Sequence, residues 1–103
     1  MSEKIVERCF IDMKPGGGQV YIDLFPKFRE MLMSAPGAIA TRLLLSKEKP
    51  DSFLVEMEFE SQKSKDIFIA HPDLKAWAEE FWKHVEHETI IYYNDVGDRK
   101  SVV

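Results

Sequence analysis

The chain holds a single cysteine, Cys9, among its 103 residues. One thiol allows no internal disulfide and no thiolate metal cluster within one chain. An excess of basic charge is also missing. Fourteen Lys and Arg stand against eighteen Asp and Glu, for a formal net charge of -4, so the electrostatic term that nucleic-acid and anionic-membrane binders rely on is absent. No run approaches the roughly 20 apolar residues of a membrane span, and the stretch from Met1 to Glu7 has no apolar segment of signal-peptide type. Neither nucleic acid nor membrane is expected as a partner, and a cytoplasmic location is expected. Repeats and low-complexity segments are lacking too. What remains is a chain of ordinary domain size, 45% hydrophobic, which suffices for one core. It reads as one domain over 1–103, with a core at about 4–95 and a loose C-terminal tail at 96–103.

The element order is strand, helix, strand, strand, helix, strand. Ile5 to Met13 is rich in β-branched and aromatic residues and is closed by Lys14-Pro15-Gly16-Gly17-Gly18. Val20, Leu24, Phe28, Met31 and Leu32 recur at helical spacing to about Ser34. Pro26, inside that stripe, is expected to kink the helix or to delay its regular part. Pro36-Gly37 leads into a strand over Ala38 to Ser46, and the charged turn from Lys47 to Ser52 leads into another. In that third strand Phe53, Val55, Met57 and Phe59 alternate with Leu54, Glu56, Glu58 and Glu60. Ser61 is placed to cap the next helix, which His71-Pro72 interrupts. After the restart Leu74, Trp77, Ala78, Phe81, Trp82 and Val85 form an apolar face, with Glu79 and Lys83 as an i, i+4 pair on the wet side. Thr89 to Tyr93 supplies the fourth strand. This order in so short a chain predicts an α+β, ferredoxin-like split βαβ sandwich, with a four-stranded antiparallel sheet and its helices on one face.

The other face of that sheet is predicted to carry Val6, Arg8, Phe10, Arg42, Leu44, Leu54, Glu56 and Glu58. It is too apolar for water, and it holds both charge signs, so Arg8 or Arg42 can pair across strands with Glu56 or Glu58. A homodimer with the two sheets face to face accounts for this pattern.

The segments Met13-Lys14-Pro15-Gly16, Ala35-Pro36-Gly37, Arg42-Leu43-Leu44, Pro50-Asp51-Ser52-Phe53, Phe59-Glu60-Ser61 and Pro72-Asp73-Leu74-Lys75 resemble the antibiotic biosynthesis monooxygenase family of dimeric α+β barrels. The resemblance implies a homodimer, a hydrophobic pocket between helices and sheet in each subunit and, in some members, cofactor-free oxygenation of aromatic or quinol-like substrates. Relatives in a haem-degrading branch use an Asn, a Trp and a ligating His, which by position fall on Cys9, Phe68 and Ala78 of this chain. All three differ, and Ala78 cannot ligate iron, so no haem or other cofactor is expected. Other members carry histidines at the places of Phe68 and Asp73, and these proton-handling groups are missing too.

Within such a pocket the expected walls are Phe59, Phe68, Trp77 and Phe81, with Cys9, Phe28 and Met57 completing it. Aromatic walls suit a small, flat, apolar or aromatic ligand. His71 is the candidate proton acceptor, since the helix break could aim its imidazole inward and its ordinary pKa lies near neutrality; the alternative is an exposed or capping residue before proline. Cys9 is expected to be a buried, inert thiol. His84, His87 and Glu88 are too weak a pattern for a metal without a third positioned ligand, and Gly16 to Gly18 lack the Lys and Ser or Thr of a phosphate loop. Two functions follow: a cofactor-independent monooxygenase, or a non-catalytic binding or interaction dimer that retains the fold. An open cavity with His71 or Tyr21 facing in favours the first, and one closed by Phe68 and Trp77 favours the second.

Overall fold

Alternation along one strand orients the whole molecule. In β1 (Ile5–Met13) the odd-numbered residues Ile5, Glu7, Cys9, Ile11 and Met13 are buried, and Arg8, Phe10 and Asp12 face the other way. A computed structural model describes residues 4–97, in the order β1, α1 (Gly17–Met33), β2 (Ala38–Leu45), β3 (Ser52–Phe59), α2 (Gln62–Ile69), α3 (Leu74–Trp82) and β4 (Val85–Asn94). The strands form one antiparallel sheet in the order β2-β3-β1-β4, the ferredoxin-like arrangement that the sequence predicts. The helices pack on the face that holds Cys9, Val55 and Phe59, and Leu32 and Phe59 are the most completely enclosed side chains. Among the described residues no helix is long and apolar enough to cross a membrane.

Several local expectations need correction. Helix α1 runs unbroken through Pro26. Pro26 and Ile22 lie on its exposed side, where water can satisfy the carbonyl that lacks its amide partner. The last helix ends at Trp82, so Val85 opens β4 rather than closing the helix face. Strand β4 is longer than Thr89 to Tyr93, because β1 offers a ladder of partners from Asn94 back to Val85, with a bulge at Asp12/Met13. Lys83 pairs with Glu80 at 2.9 Å and not with Glu79. Of the expected tail, 98–103 lie outside the described residues.

Two loops fix the helices onto the sheet. Helix α1 has no capping side chain of its own. Instead Asp51, from the β2–β3 turn, accepts the amides of Gly16 (3.3 Å) and Gly18 (2.9 Å). Its carboxylate sits at the positive end of the helix, where an anion is favoured. The glycine run is thus a close approach to Asp51 and leaves these amides unavailable to a phosphate. At the other end of α1, Gly37 adopts φ +82 and its carbonyl accepts the amide of Glu60 at 2.8 Å. Ser61 follows as the N-cap of α2, accepting the Ser64 amide at 3.2 Å.

The outer face is laid out in rows: Leu44, Leu54, Phe10 and Thr89; then Arg42, Glu56, Arg8 and Ile91; then Ala40, Glu58, Val6 and Tyr93. Glu56 accepts Arg42 Nε at 2.5 Å and Arg8 Nε at 2.7 Å. The Arg42 hydrogen bond, with the charges of both guanidinium groups, holds its carboxyl below the usual range despite partial burial. The Arg8 guanidinium also lies 5.4 Å from the centre of the Tyr93 ring. Around this ionic row Phe10, Leu44, Ile91 and Tyr93 remain exposed. The molecule measures 46 × 33 × 17 Å, and the short axis has room for one sheet and one helical layer, with no further layer on the outer face among the described residues.

Gly37 is the described glycine least able to change. A Cβ there would enter the Ser64 side chain while forcing a β-carbon into a left-handed backbone conformation. Gly37→Ala should cost about 2 to 5 kcal/mol, read as a lowered midpoint in urea denaturation with an unchanged slope.

Candidate functional site

The helices do not cover the sheet evenly, and a cavity of about 220 Å³ opens under α2 and α3 against β1 and β4. All seven expected wall residues line it: Cys9, Phe28, Met57, Phe59, Phe68, Trp77 and Phe81. The rings form one packed series. Phe28 meets Trp77 at 4.8 Å, Trp77 stacks on Phe81 at 5.1 Å, and Phe68 stands edge-on to Phe28 at 5.6 Å. Trp77 is fixed by its indole N–H, which donates to the Leu24 carbonyl of α1 at 2.8 Å. Ile69, Trp82, Ile90 and Tyr92 also border the cavity and are exposed, so its mouth is apolar.

His71 is not brought to this cavity. Its Nδ1 accepts the Asp73 amide at 3.0 Å and its carbonyl accepts the Leu74 amide at 3.1 Å, so the residue holds the turn that starts α3. The residue expected as proton acceptor forms this turn and is not among those lining the cavity. His84, His87 and Glu88 are likewise separated. His84 Nε2 lies 3.3 Å from Glu80 on α3, and His87 and Glu88 alternate to opposite faces of β4, opposite Asp12 and Ile11. Among the described residues no three His, Cys, Asp or Glu side chains converge as metal ligands.

Polar groups do converge at one end of the cavity, and most of them were missed from the sequence. Glu7 is buried on the core face of β1, two positions from Cys9. Its carboxylate lies 3.6 Å from Lys65 Nζ of α2 and accepts the Cys9 thiol at 3.3 Å. Lys65 Nζ also sits 3.8 Å above the Tyr92 ring, where a partly desolvated ammonium gains from the ring's electrons. Tyr21 from α1 and Glu88 from β4 complete the group. The period of two along β1 could have located Glu7, since it shares the parity of Cys9 and Ile11. Glu88 was hidden by the misplaced start of β4, and Lys65 had no signal beyond lying one helical turn before Phe68.

The electrostatics assign states to these groups. Burial, reinforced by the Glu7 charge and hydrogen bond, pushes the Cys9 thiol far up, so it is neutral and a poor nucleophile. Burial, with Cys9 and Glu88 close by, pushes the Tyr21 phenol up as well, and it stays protonated as a donor. Burial and the nearby Glu7 charge raise the Glu88 carboxyl above its ordinary range. The cavity is open and has Tyr21 on its wall, with Phe68 and Trp77 lining rather than sealing it.

A family model described as antibiotic biosynthesis monooxygenase matches residues 5–80. No curated protein matches the chain. Among solved structures it is similar to a Nitrosomonas europaea protein assigned to the antibiotic biosynthesis monooxygenases, at 13% identity and TM-score 0.85 over 93% of each chain. A Shewanella oneidensis protein follows at 17% and 0.82, over 92% of this chain and 93% of that one. SnoaB, a cofactor-independent oxygenase from Streptomyces nogalater, matches at 12% and 0.77, over 89% and 92%. At these identities the structural likenesses speak for the fold.

The raised carboxyl gives a signed expectation. A carboxyl whose folded pKa lies above its unfolded value favours folding at pH below the unfolded value and weakens it as pH rises through the folded one. Glu88→Gln should therefore raise Tm at pH 7 relative to the parent, and the difference should vanish on acidification toward about pH 4. Thermal melts across that range would check it.

Proposed function

Because the chain belongs to the antibiotic biosynthesis monooxygenase family, we propose that it is a cofactor-independent oxygenase of a small aromatic or quinol-like substrate held in the cavity between helices and sheet. One observation carries this reading: a cavity with aromatic walls ends in a phenol donor, Tyr21, and a carboxyl with a raised pKa, Glu88. A base is most effective when its pKa approaches the working pH, and the shift moves Glu88 that way. It replaces His71 in the role of proton acceptor.

The chemistry needs no metal or flavin if the substrate supplies the electrons. Glu88 takes a proton from an activated ring CH₂, and Tyr21 donates a hydrogen bond to the enolate oxygen that results. The carbanion adds to dioxygen to give a peroxide, which takes up a proton. The resulting hydroperoxide loses water, leaving a ring carbonyl: CH₂ and O₂ become C=O and H₂O. The protein supplies orientation through Phe28, Phe59, Phe68, Trp77 and Phe81, and keeps water from the intermediate. The chain also acts as a homodimer in this reading, with the outer faces of two sheets apposed so that Phe10, Leu44, Ile91 and Tyr93 are covered.

Oxygen uptake with 1,4-dihydroxynaphthalene should exceed the spontaneous rate, and Glu88→Gln should lower it by about 10²-fold or more. Absence of uptake by the parent on such substrates would favour a binding protein instead. In sedimentation the parent should run as a dimer at micromolar concentration, and Phe10→Glu should shift it to monomer; a monomeric parent would remove the dimer from the reading.

A further inference from the structure

The charge of the cavity limits what can enter it. Its titratable lining groups are Glu7 and Cys9 from β1, Tyr21 from α1, Lys65 from α2, and Glu88 and Tyr92 from β4; β3 and α3 contribute only apolar side chains. With Cys9 and Tyr21 held neutral, two carboxyl groups face one ammonium. That ammonium is already engaged, 3.6 Å from Glu7 and 3.8 Å above the Tyr92 ring. Glu88 makes no ion pair among the described residues. An incoming anion therefore finds no unused cation among the described residues. It meets the field of Glu88 in a site whose apolar walls screen charge poorly.

We propose that Glu7, Lys65 and Glu88 act together as a charge filter that sets the specificity of this cavity, admitting neutral, hydroxyl-bearing ring systems and excluding those that carry a carboxylate. The filter rests on reading the cavity as the substrate site. A hydroxyl can donate to Glu88 or Glu7 and accept from Tyr21, so a neutral ligand leaves no buried polar group unmatched. A carboxylate only accepts, and would be desolvated beside a like charge. Size adds a second limit. A cavity of about 150 Å³ accommodates benzene, so one of about 220 Å³ suits a ring system of about two fused rings.

The matched probes are 2-naphthol and 2-naphthoate, which share one ring system and differ at pH 7 in charge, a phenol titrating near 10 and a carboxylic acid near 4. Titration calorimetry of the parent should give 2-naphthol at least about tenfold tighter binding than 2-naphthoate. In Glu88→Gln, checked for folding by its melt, the ratio should fall below about threefold. Equal or tighter binding of 2-naphthoate by the parent, or no binding of either probe, overturns the filter, and the parent comparison decides this even if the variant does not fold. A ratio unchanged in folded Glu88→Gln overturns the role given to that residue. Failure of the oxygenase reading would look different: the tenfold preference would persist while no substrate consumed oxygen.

Discussion

A carboxylate on the core face of a central strand is the constraint around which the cavity is arranged. Glu7 is 8% exposed, and a buried charge of this kind stands only if it is paired and hydrogen-bonded. Three groups answer that need from three elements. Lys65 reaches down from α2, the Cys9 thiol donates from the same strand, and Tyr92 on β4 offers its ring to the ammonium. Removing Lys65 would strand the carboxylate, a change that typically costs about 3 to 5 kcal/mol. The same surroundings keep Cys9 inert, first through burial and then through the Glu7 charge and hydrogen bond. A thiol that serves as donor to a carboxylate cannot easily lose its proton, although a lysine is close at hand.

The two faces of the sheet use charge in opposite senses. On the outer face Glu56 lies between Arg8 and Arg42, and its carboxyl titrates low. On the inner face Glu88 lacks such a partner among the described residues, and its carboxyl titrates high. By linkage, Glu56 favours the folded state at neutral pH and loses that effect on acidification, whereas Glu88 works against folding at neutral pH. A group held at a cost to stability is more often kept for chemistry or recognition than for structure. The contrast separates a structural carboxylate from a functional candidate without appeal to sequence similarity.

How much of this was legible in the sequence depended on the length of the pattern. The period of two over Phe53 to Phe59, and over Cys9 to Met13, set two central strands and the parity of their neighbours, and with Pro36-Gly37 and His71-Pro72 these gave the order of elements. The apolar walls followed, because aromatic residues at helical and strand spacing meet wherever the layers pack. The polar end did not follow. Its members come from β1, α1, α2 and β4, far apart in sequence, and the start of β4 was obscured by the polar run Glu86-His87-Glu88, which lacks the usual look of a strand. Only the ladder with β1 makes that run extended. The place of His71 was not legible for a related reason: a break in a helix predicts that a side chain is freed from the helical pattern, and the imidazole is used locally, by the amide of Asp73.

Fold and chemistry thus rest on different parts of the chain. The same fold recurs in solved structures sharing 12 to 17% identity, and in this chain it uses apolar parity on the strands, a left-handed glycine at position 37 and a carboxylate at position 51 that caps α1. Neither Gly37 nor Asp51 lines the cavity. Loss of Tyr21 or Glu88 would leave the Glu7–Lys65 ion pair intact. The site can therefore be retuned on a constant scaffold. In this chain burial and the Glu7 charge raise the carboxyl of Glu88 within an aromatic cavity. On the reading proposed above, such a carboxyl would take the proton from an acidic C–H or O–H group of the ring substrate.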